Sequence, residues 1–270
     1  MGFPERRRVT LPAVGDGRDD VELVVHDWGG EGPLVLLHHA TGMCAATWAP
    51  VAEALRDTAR VIAFDARGHG DASKPEGEYT WQAYADDLVR LAERLCSDLG
   101  RERVDVAVGH SLGGIASLMA MHDRPTLFAS GVLIEPALVT PQMEGDNPRR
   151  RDGLTRASLA TRMRQAHFGS RREARECLLS QPLFEGWPEA QFETFLSEGL
   201  AIDAEGLHLK CPPILEAKIY SLGAVAGLFD AGYVDAPLLI QSAKGSRFAG
   251  AHALFAAQSA DAQIAMSLLI

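Results

Sequence analysis

Cysteine is scarce in this sequence and does not form the patterns of metal sites or disulfide frameworks. The four cysteines, Cys44, Cys96, Cys177 and Cys211, are 52, 81 and 34 residues apart, so no Cys-x-x-Cys pair occurs. Zinc knuckles and disulfide-dense scaffolds need much closer spacing. We therefore expect free thiols in a reducing compartment and no metal site.

Long apolar runs are also lacking. No run approaches the roughly 18 residues of a transmembrane helix. The basic first twelve residues are not followed by the apolar stretch of a signal peptide. Arg6 stands where a myristoylation motif has Ser or Thr. These absences predict a soluble, cytoplasmic protein with no membrane partner.

Positive charge is low overall but concentrated in one segment. The formal net charge of the 270 residues is -10, which argues against a nucleic-acid partner. Residues 149–176 nevertheless carry nine arginines against three acidic residues, a local charge of +6. This asymmetry predicts a separate structural unit. The cluster is either a solvated helical face or a guanidinium clamp for a carboxylate or phosphate substrate, since arginine pairs well with both groups.

The apolar residues that are present predict an α/β fold. Hydrophobic residues make up 47% and charged residues 23%, which is ordinary for a globular protein and excludes disordered and fibrous classes. Short apolar runs, typical of strands buried on both faces, lie at 34–37, 61–64, 104–108, 132–134, 238–240 and 264–270. Helical periodicity appears between them. This alternation predicts a mostly parallel, doubly wound sheet.

Residues 140–232 interrupt that alternation. They contain no strong strand signal, and helical windows occur near 171–179, 188–200 and 215–229. Ligands bind at the carboxyl edge of open α/β sheets, so an insertion between two strands predicts a helical lid over that edge. We therefore expect a core formed by residues 1–139 and 233–270, with residues 140–232 as the lid.

The sharpest motif is Gly109-His110-Ser111-Leu112-Gly113. It matches G-x-S-x-G and lies between an apolar run and an apolar helix, which is the context that a nucleophile elbow requires. The serine of such an elbow sits on a strained turn, and glycines beside it avoid collisions. The helix N-terminus then directs N–H groups at the reacting centre. The motif predicts Ser111 as a nucleophile.

With this motif, the sequence from about residue 21 to residue 270 resembles the α/β-hydrolase family with an inserted lid. Residues 64–73 resemble a family loop in which Asp65 and Arg67 have structural roles. Residues 36–42 resemble the family's His-Gly oxyanion loop, with His39 where glycine is usual.

That resemblance also implies which backbone groups form the oxyanion hole. The backbone N–H groups of Ala40 and Leu112 would hold the oxyanion, and no metal or organic cofactor is implied. His39, His110 and Trp48 are candidate pocket residues, and Trp187 is another candidate for an apolar pocket wall.

The catalytic acid departs from the usual family pattern. The family usually carries it after the penultimate strand, but residues 238–247 contain no carboxylate. A minority arrangement, known in some haloalkane dehalogenases, places it after the strand that follows the nucleophile. Glu135 stands there, 24 residues beyond Ser111. The resemblance therefore implies Glu135 as the acid, and the alternative is a Glu135 that tethers the first loop of the lid.

The general base is missing from its usual place. The family's histidine follows the last strand, and none of the nine histidines stands there. We expect a glycine-rich loop with a histidine, followed by an amphipathic helix, to come after Ile270 in a longer sequence. The alternative is that the fold serves a purpose other than full hydrolysis.

These features predict a serine hydrolase that cleaves a small ester, thioester, lactone or amide. Dehalogenases and common epoxide hydrolases are disfavoured because those relatives use aspartate where this chain has Ser111. The alternative is a catalytically inactive protein of the same fold that binds a small apolar ligand. A small molecule is the expected partner in either case, and the sequence leaves the oligomeric state open.

Overall fold

The computed structural model describes residues 4–13, 20–77, 79–140, 143, 156, 158–204, 206–230, 232–258 and 264–269. The strands of these residues are β1 (Glu5–Leu11), β2 (Val21–Asp27), β3 (Leu34–His38), β4 (Arg60–Asp65), β5 (Val106–His110), β6 (Gly131–Ile134), β7 (His167–Phe168), β8 (Leu200–Asp203), β9 (Gly206–Leu209), β10 (Leu238–Ala243) and β11 (Ile264–Leu269). The helices are α1 (Ala49–Leu55), α2 (Trp81–Leu99), α3 (Leu112–Asp123), α4 (Arg171–Leu179), α5 (Glu189–Glu198), α6 (Pro213–Tyr220) and α7 (Ala249–Gln258), with short 3-10 helices at Ala45–Trp48 and Pro182–Phe184.

The central sheet has eight strands in the order β1-β2-β4-β3-β5-β6-β10-β11. The strands from β4 to β11 in this order are parallel, whereas β1 and β2 pair antiparallel at one edge. The predicted mostly parallel α/β-hydrolase fold is thereby confirmed. Strand β1 was absent from the apolar runs because its residues alternate between exposed and buried at a sheet edge.

The side chains of β3 alternate between two hydrophobic cores, one on each face of the sheet, which explains why its run is continuously apolar. Leu34 and Leu36 join the core beneath α2 and α3, whereas Val35 and Leu37 join a second core with Ala52 of α1. Both faces of the sheet are therefore covered, as parallel sheets require. Every β3 side chain is buried, and the carboxyl ends of β3, β5, β6 and β10 are brought to one edge.

The insertion between β6 and β10 is only partly as predicted. Helix α4 occupies the expected residues 171–179, and α5 lies within the expected window, but α6 ends at Tyr220. The expectation of an entirely helical insertion was wrong, because β7, β9 and β8 form a small antiparallel sheet. These strands have two to four residues, too few to produce a periodic signal. Buried Phe168, Leu200 and Leu209 hold them against α4 and α5.

Arginines of the insertion are engaged with acidic partners. Arg171 pairs with Glu193 at 2.7 Å, and Arg175 pairs with the same carboxylate at 3.2 Å. These pairs join the exposed surfaces of α4 and α5 and match the interpretation as a solvated face. Residues 149–155 of the arginine cluster lie outside the described residues.

None of the described helices has the length and apolar character needed to span a bilayer.

Candidate active site

The sequence-predicted residues lie at one edge of the sheet because their strands are parallel. Ser111 follows β5, Glu135 follows β6, and Ala40 lies two residues beyond the end of β3. This is the carboxyl edge, at which open α/β sheets bind ligands.

Ser111 has the backbone of a strained turn between β5 and α3. Its φ is 53° and its ψ is -109°, a backbone region that residues other than glycine rarely adopt. Glycines make this turn possible on both sides. A Cβ atom at Gly109 would lie 2.2 Å from the carbonyl oxygen of Gly113, and one at Gly113 would lie 2.2 Å from that of His38. The motif therefore fixes Ser111 at the N-terminus of α3, where Leu112 begins the helix and the first N–H groups lack intrahelical acceptors.

Two consecutive histidines orient the backbone of the neighbouring loop. His38 Nδ1 donates to the carbonyl oxygen of His39 at 3.0 Å, and His39 Nδ1 donates to that of Ala40 at 2.8 Å. In a planar trans peptide the N–H points opposite to the carbonyl of the same peptide. The bond from His38 therefore turns the Ala40 N–H in the opposite direction from the His39 carbonyl.

Both ring nitrogens of His39 are engaged in hydrogen bonds. Its Nε2 accepts the backbone N–H of Ala66 at 3.1 Å while its Nδ1 donates to Ala40. Burial lowers the pKa of His39, although the Asp65 carboxylate opposes that shift. A neutral imidazole with both nitrogens in hydrogen bonds has no lone pair for the Ser111 hydroxyl. His39 thus links the loop after β3 to the loop after β4.

Asp65 and Arg67 hold the loop after β4. Asp65 accepts backbone N–H groups from Ala45 at 2.7 Å and Asp71 at 2.9 Å. Burial opposes ionisation, but His26, His39 and the Ala45 N–H outweigh it and lower the pKa of Asp65 to about 2. Arg67 forms a two-pronged ion pair with buried Asp87 of α2, at 2.6 and 2.7 Å.

Glu135 reaches the turn in which the sequence lacks a carboxylate. Its own φ is 45°, and its carboxylate accepts the backbone N–H of Ala243 and the hydroxyl of Ser246, the latter at 2.6 Å. Both donors lie at or after the end of β10. These hydrogen bonds join Glu135 to the core turn and not to the insertion. Burial lowers the pKa of the neighbouring His110, and the Glu135 carboxylate partly opposes that shift.

A cavity of about 310 Å³ opens beside Ser111. Its walls contain His39, Ala40, Thr41, Met43, Thr47, Trp48, His110, Ser111, Leu183, Trp187, Gln191 and Tyr220. The three candidate pocket residues, His39, His110 and Trp48, are all in this wall together with Trp187. Gln191 and Tyr220 were missed, because nothing local in the sequence indicates which helical positions of an insertion face a cavity. No arginine of the described residues lines it.

Within the described part of the chain, no hydrogen bond joins a histidine nitrogen to Ser111 Oγ. Several imidazoles are held elsewhere: His252 lies between Ser242 and the Pro136 carbonyl, and His122 stacks on Tyr233 while it contacts that residue's carbonyl. The cavity wall thus contains the serine and the oriented loop backbone, whereas the Glu135 carboxylate lies at the same sheet edge but is not part of that wall.

Comparison with known proteins agrees with this architecture. The model of the alpha/beta hydrolase family matches residues 34–217. The 2-(acetamidomethylene)succinate hydrolase of Mesorhizobium japonicum is 37% identical over 115 residues, which are 43% of this chain and 38% of that protein. The bifunctional esterase/perhydrolase DCH of Acinetobacter calcoaceticus is 33% identical over 136 residues, 48% of this chain and 47% of that protein.

A solved structure extends the likeness along the chain. The crystal structure of E-2-(acetamidomethylene)succinate hydrolase has a TM-score of 0.73 at 24% identity, and the match covers 97% of this chain and 91% of that chain. At this level of identity the likeness shows the fold alone. The chain aligns with less than half the length of the two curated relatives.

Proposed function

The chain belongs to the alpha/beta hydrolase family, and we propose that it is a serine hydrolase acting on a small ester, thioester, lactone or amide. The observation that carries the proposal is the left-handed backbone of Ser111, at a strand-to-helix turn that borders a cavity. Strain of this kind persists only where the surroundings enforce it, and it concentrates at functional sites.

In this mechanism the Ser111 hydroxyl attacks the substrate carbonyl. The N–H groups of Ala40 and Leu112 hold the oxyanion, and each such donor contributes about 3 kcal/mol to transition-state stabilisation. The orientation that His38 imposes on the Ala40 peptide supports this role.

Proton transfer needs a base in addition to these residues. No described histidine is hydrogen-bonded to Ser111, so the proposal includes a further imidazole that takes the serine proton and passes it to the leaving group. Glu135 would orient that imidazole and stabilise its cation. The carboxylate's place at the turn after β10 supports Glu135 as the acid.

The curated relatives support hydrolysis over an inactive binding role. One is named as a hydrolase of 2-(acetamidomethylene)succinate and the other as an esterase and perhydrolase. By similarity we include amides with esters among the substrates. We also propose that residues 140–232 act as a lid, because Leu183, Trp187 and Gln191 of this segment complete the cavity wall.

A serine-directed probe tests the proposal on the chain as it exists. Purified protein is incubated with a fluorophosphonate, with and without added imidazole, and labelling is located by mass spectrometry. A hydroxyl without a base is a weak nucleophile, so we expect slow labelling at Ser111 that imidazole accelerates. Ser111→Ala should abolish labelling, whereas Ser117→Ala on the same helix should not. Absence of Ser111-dependent labelling in both buffers rejects the proposal.

A further inference from the structure

Two residues of the cavity wall, Trp48 and Gln191, each carry a buried polar atom that has no partner. Trp48 is only 8% exposed, and its indole Nε1 forms no hydrogen bond with any described residue. The same is true of Oε1 of Gln191. Both residues line the cavity beside Ser111. Unpaired buried groups are rare in native proteins because each costs free energy, so the pair indicates a place for a ligand.

The free atom of Gln191 is identified by its other contact. Its Nε2 donates to the carbonyl oxygen of Thr47 at 2.5 Å. Exchanging the amide oxygen and nitrogen would place two acceptors against each other, so Oε1 is the atom left unpaired. Thr47 directly precedes Trp48, so the glutamine amide binds the backbone of the residue before the tryptophan. A free acceptor from α5 thus accompanies a free donor from the core.

Several other polar groups of the wall already have partners. Both ring nitrogens of His39 are bonded, and the Thr47 hydroxyl donates to the Cys44 carbonyl at 2.7 Å. Tyr220 interacts with the carboxylate of Glu216. Met43, Leu183 and Trp187 add apolar surface. An incoming polar group therefore finds unmet hydrogen-bonding capacity at Trp48 and Gln191.

We propose that Trp48 and Gln191 form a subsite for a neutral carboxamide or N-acylamino group of the ligand. The ligand carbonyl accepts the indole N–H, and the ligand N–H donates to Gln191 Oε1. A carboxylate lacks the donor and would set its charge against Oε1, with no described arginine in the wall to compensate. A ketone satisfies only Trp48. The inference rests on the proposed function in that the ligand is taken to be the substrate of the Ser111 site.

Binding to the Ser111→Ala protein tests this subsite without any turnover. Benzamide, benzoate and acetophenone have nearly the same shape and differ in donors and charge. Their dissociation constants are measured by calorimetric or nuclear magnetic resonance titration. We expect benzamide to bind at least about tenfold more tightly than the other two, since each unmatched buried group has a cost of that order. Equal binding, or undetectable benzamide binding, overturns the inference.

Two substitutions separate the two hydrogen bonds. Gln191→Met should weaken benzamide about tenfold and leave acetophenone unchanged, whereas Trp48→Phe should weaken both by about that factor. Trp28→Phe is the packing control, because Trp28 shares the hydrophobic cluster of Trp48 and is not in the cavity wall. Thermal unfolding verifies that each variant is folded. An amide preference that survives both cavity substitutions also overturns the inference.

The result is independent of the test of Ser111 chemistry. If Ser111 is labelled but benzamide has no advantage, the subsite is wrong and the hydrolase proposal stands. If benzamide is preferred through Trp48 and Gln191 while Ser111 never reacts, the hydrolase proposal fails and the binding site stands.

Discussion

The Glu135 carboxylate accepts the Ser246 hydroxyl at 2.6 Å, although 111 residues separate the two positions. The contact spans neighbouring strands, because Glu135 follows β6 and Ser246 lies beyond β10. The turn after β10 thus contains a carboxylate that its own sequence does not encode. A carboxylate held by two donors is preorganised, which suits a residue that must orient an imidazole.

Removing only the charge of Glu135 should separate catalysis from folding. Glu135→Gln retains an oxygen for the Ala243 N–H but loses the negative charge that would stabilise an imidazolium. We expect imidazole-accelerated labelling of Ser111 to fall about tenfold or more, the equivalent of one pKa unit. The thermal midpoint should change little.

Ser246→Ala is the matched control for Glu135→Gln. It removes one hydrogen bond from the same carboxylate and keeps the charge, so its labelling rate should stay closer to that of the parent. A Glu135→Gln protein that labels as fast as the parent in imidazole would remove Glu135 from the proposed mechanism.

Local signals explain which features were predictable. The elbow at Ser111 depends on five adjacent residues, whose glycines are required by contacts within 3 Å, so the motif alone was sufficient. Buried parallel strands show as apolar runs for a similarly local reason. One such run began too early, since Val104 forms an isolated bridge with Phe128 and β5 starts at Val106.

Features that depend on tertiary packing escaped prediction. Gln191 borders the cavity only because α5 packs on the 3-10 helix that carries Thr47. The small sheet of the insertion likewise depends on buried Phe168 and Leu209 and not on a strand-length pattern. Glu135 was predicted as the acid by resemblance to a minority arrangement and stays a prediction, whereas its two donors are evident only in three dimensions.

A methyl group at Gly113 should disrupt the elbow. Its Cβ would lie 2.2 Å from the carbonyl oxygen of His38. Gly113 is held in α3 and His38 in β3, so neither backbone can move away freely. We expect Gly113→Ala to lower the free energy of unfolding by about 1–3 kcal/mol or more, the usual cost of overpacking. Urea denaturation measures this change.

Gly250→Ala provides the comparison for Gly113→Ala. A Cβ at Gly250 of α7 meets no atom within 4 Å, so the substitution should be neutral or stabilising by up to about 1 kcal/mol. Equal unfolding energies for the two variants would show that the close approach of Gly113 and His38 does not exist.

Acidification should destabilise the fold through buried histidines. Burial and the adjacent His39 together lower the pKa of His69 to about 3, against the opposing effect of Asp65. The unfolded chain takes up a proton near pH 6.5 and the folded chain resists it until about pH 3, so stability falls as pH decreases through that window. At pH 4.5 this one group should cost about 3 kcal/mol.

Urea unfolding at several pH values measures the effect of His69. His69→Gln should flatten the decline between pH 6.5 and 4.5, whereas His167→Gln, at an exposed residue, serves as the control. Asp65 adds a separate loss at lower pH, because its pKa of about 2 means that its stabilising charge disappears as pH falls from 3.8. An unchanged slope in His69→Gln would contradict the assignment.

The ion pair of Arg164 and Glu216 joins two parts of the insertion next to Gly42 of the loop after β3. Glu216 is only 1% exposed, and its carboxylate carbon would lie 3.0 Å from a Cβ at Gly42. Burial raises the pKa of Glu216, and Arg164 partly offsets that effect. Removing one partner of a buried pair leaves an uncompensated charge, so Arg164→Met should lower the free energy of unfolding by about 3 kcal/mol.

Two further variants distinguish this pair from a general effect of arginine loss. Arg171→Met breaks an exposed pair with Glu193 and should cost less than about 1 kcal/mol. Arg164→Met combined with Glu216→Gln should recover much of the stability lost by Arg164→Met alone, because no buried charge is left unpaired. Urea denaturation at pH 7 measures all three proteins. A double variant less stable than Arg164→Met would mean that Glu216 stabilises the loop by contacts independent of Arg164.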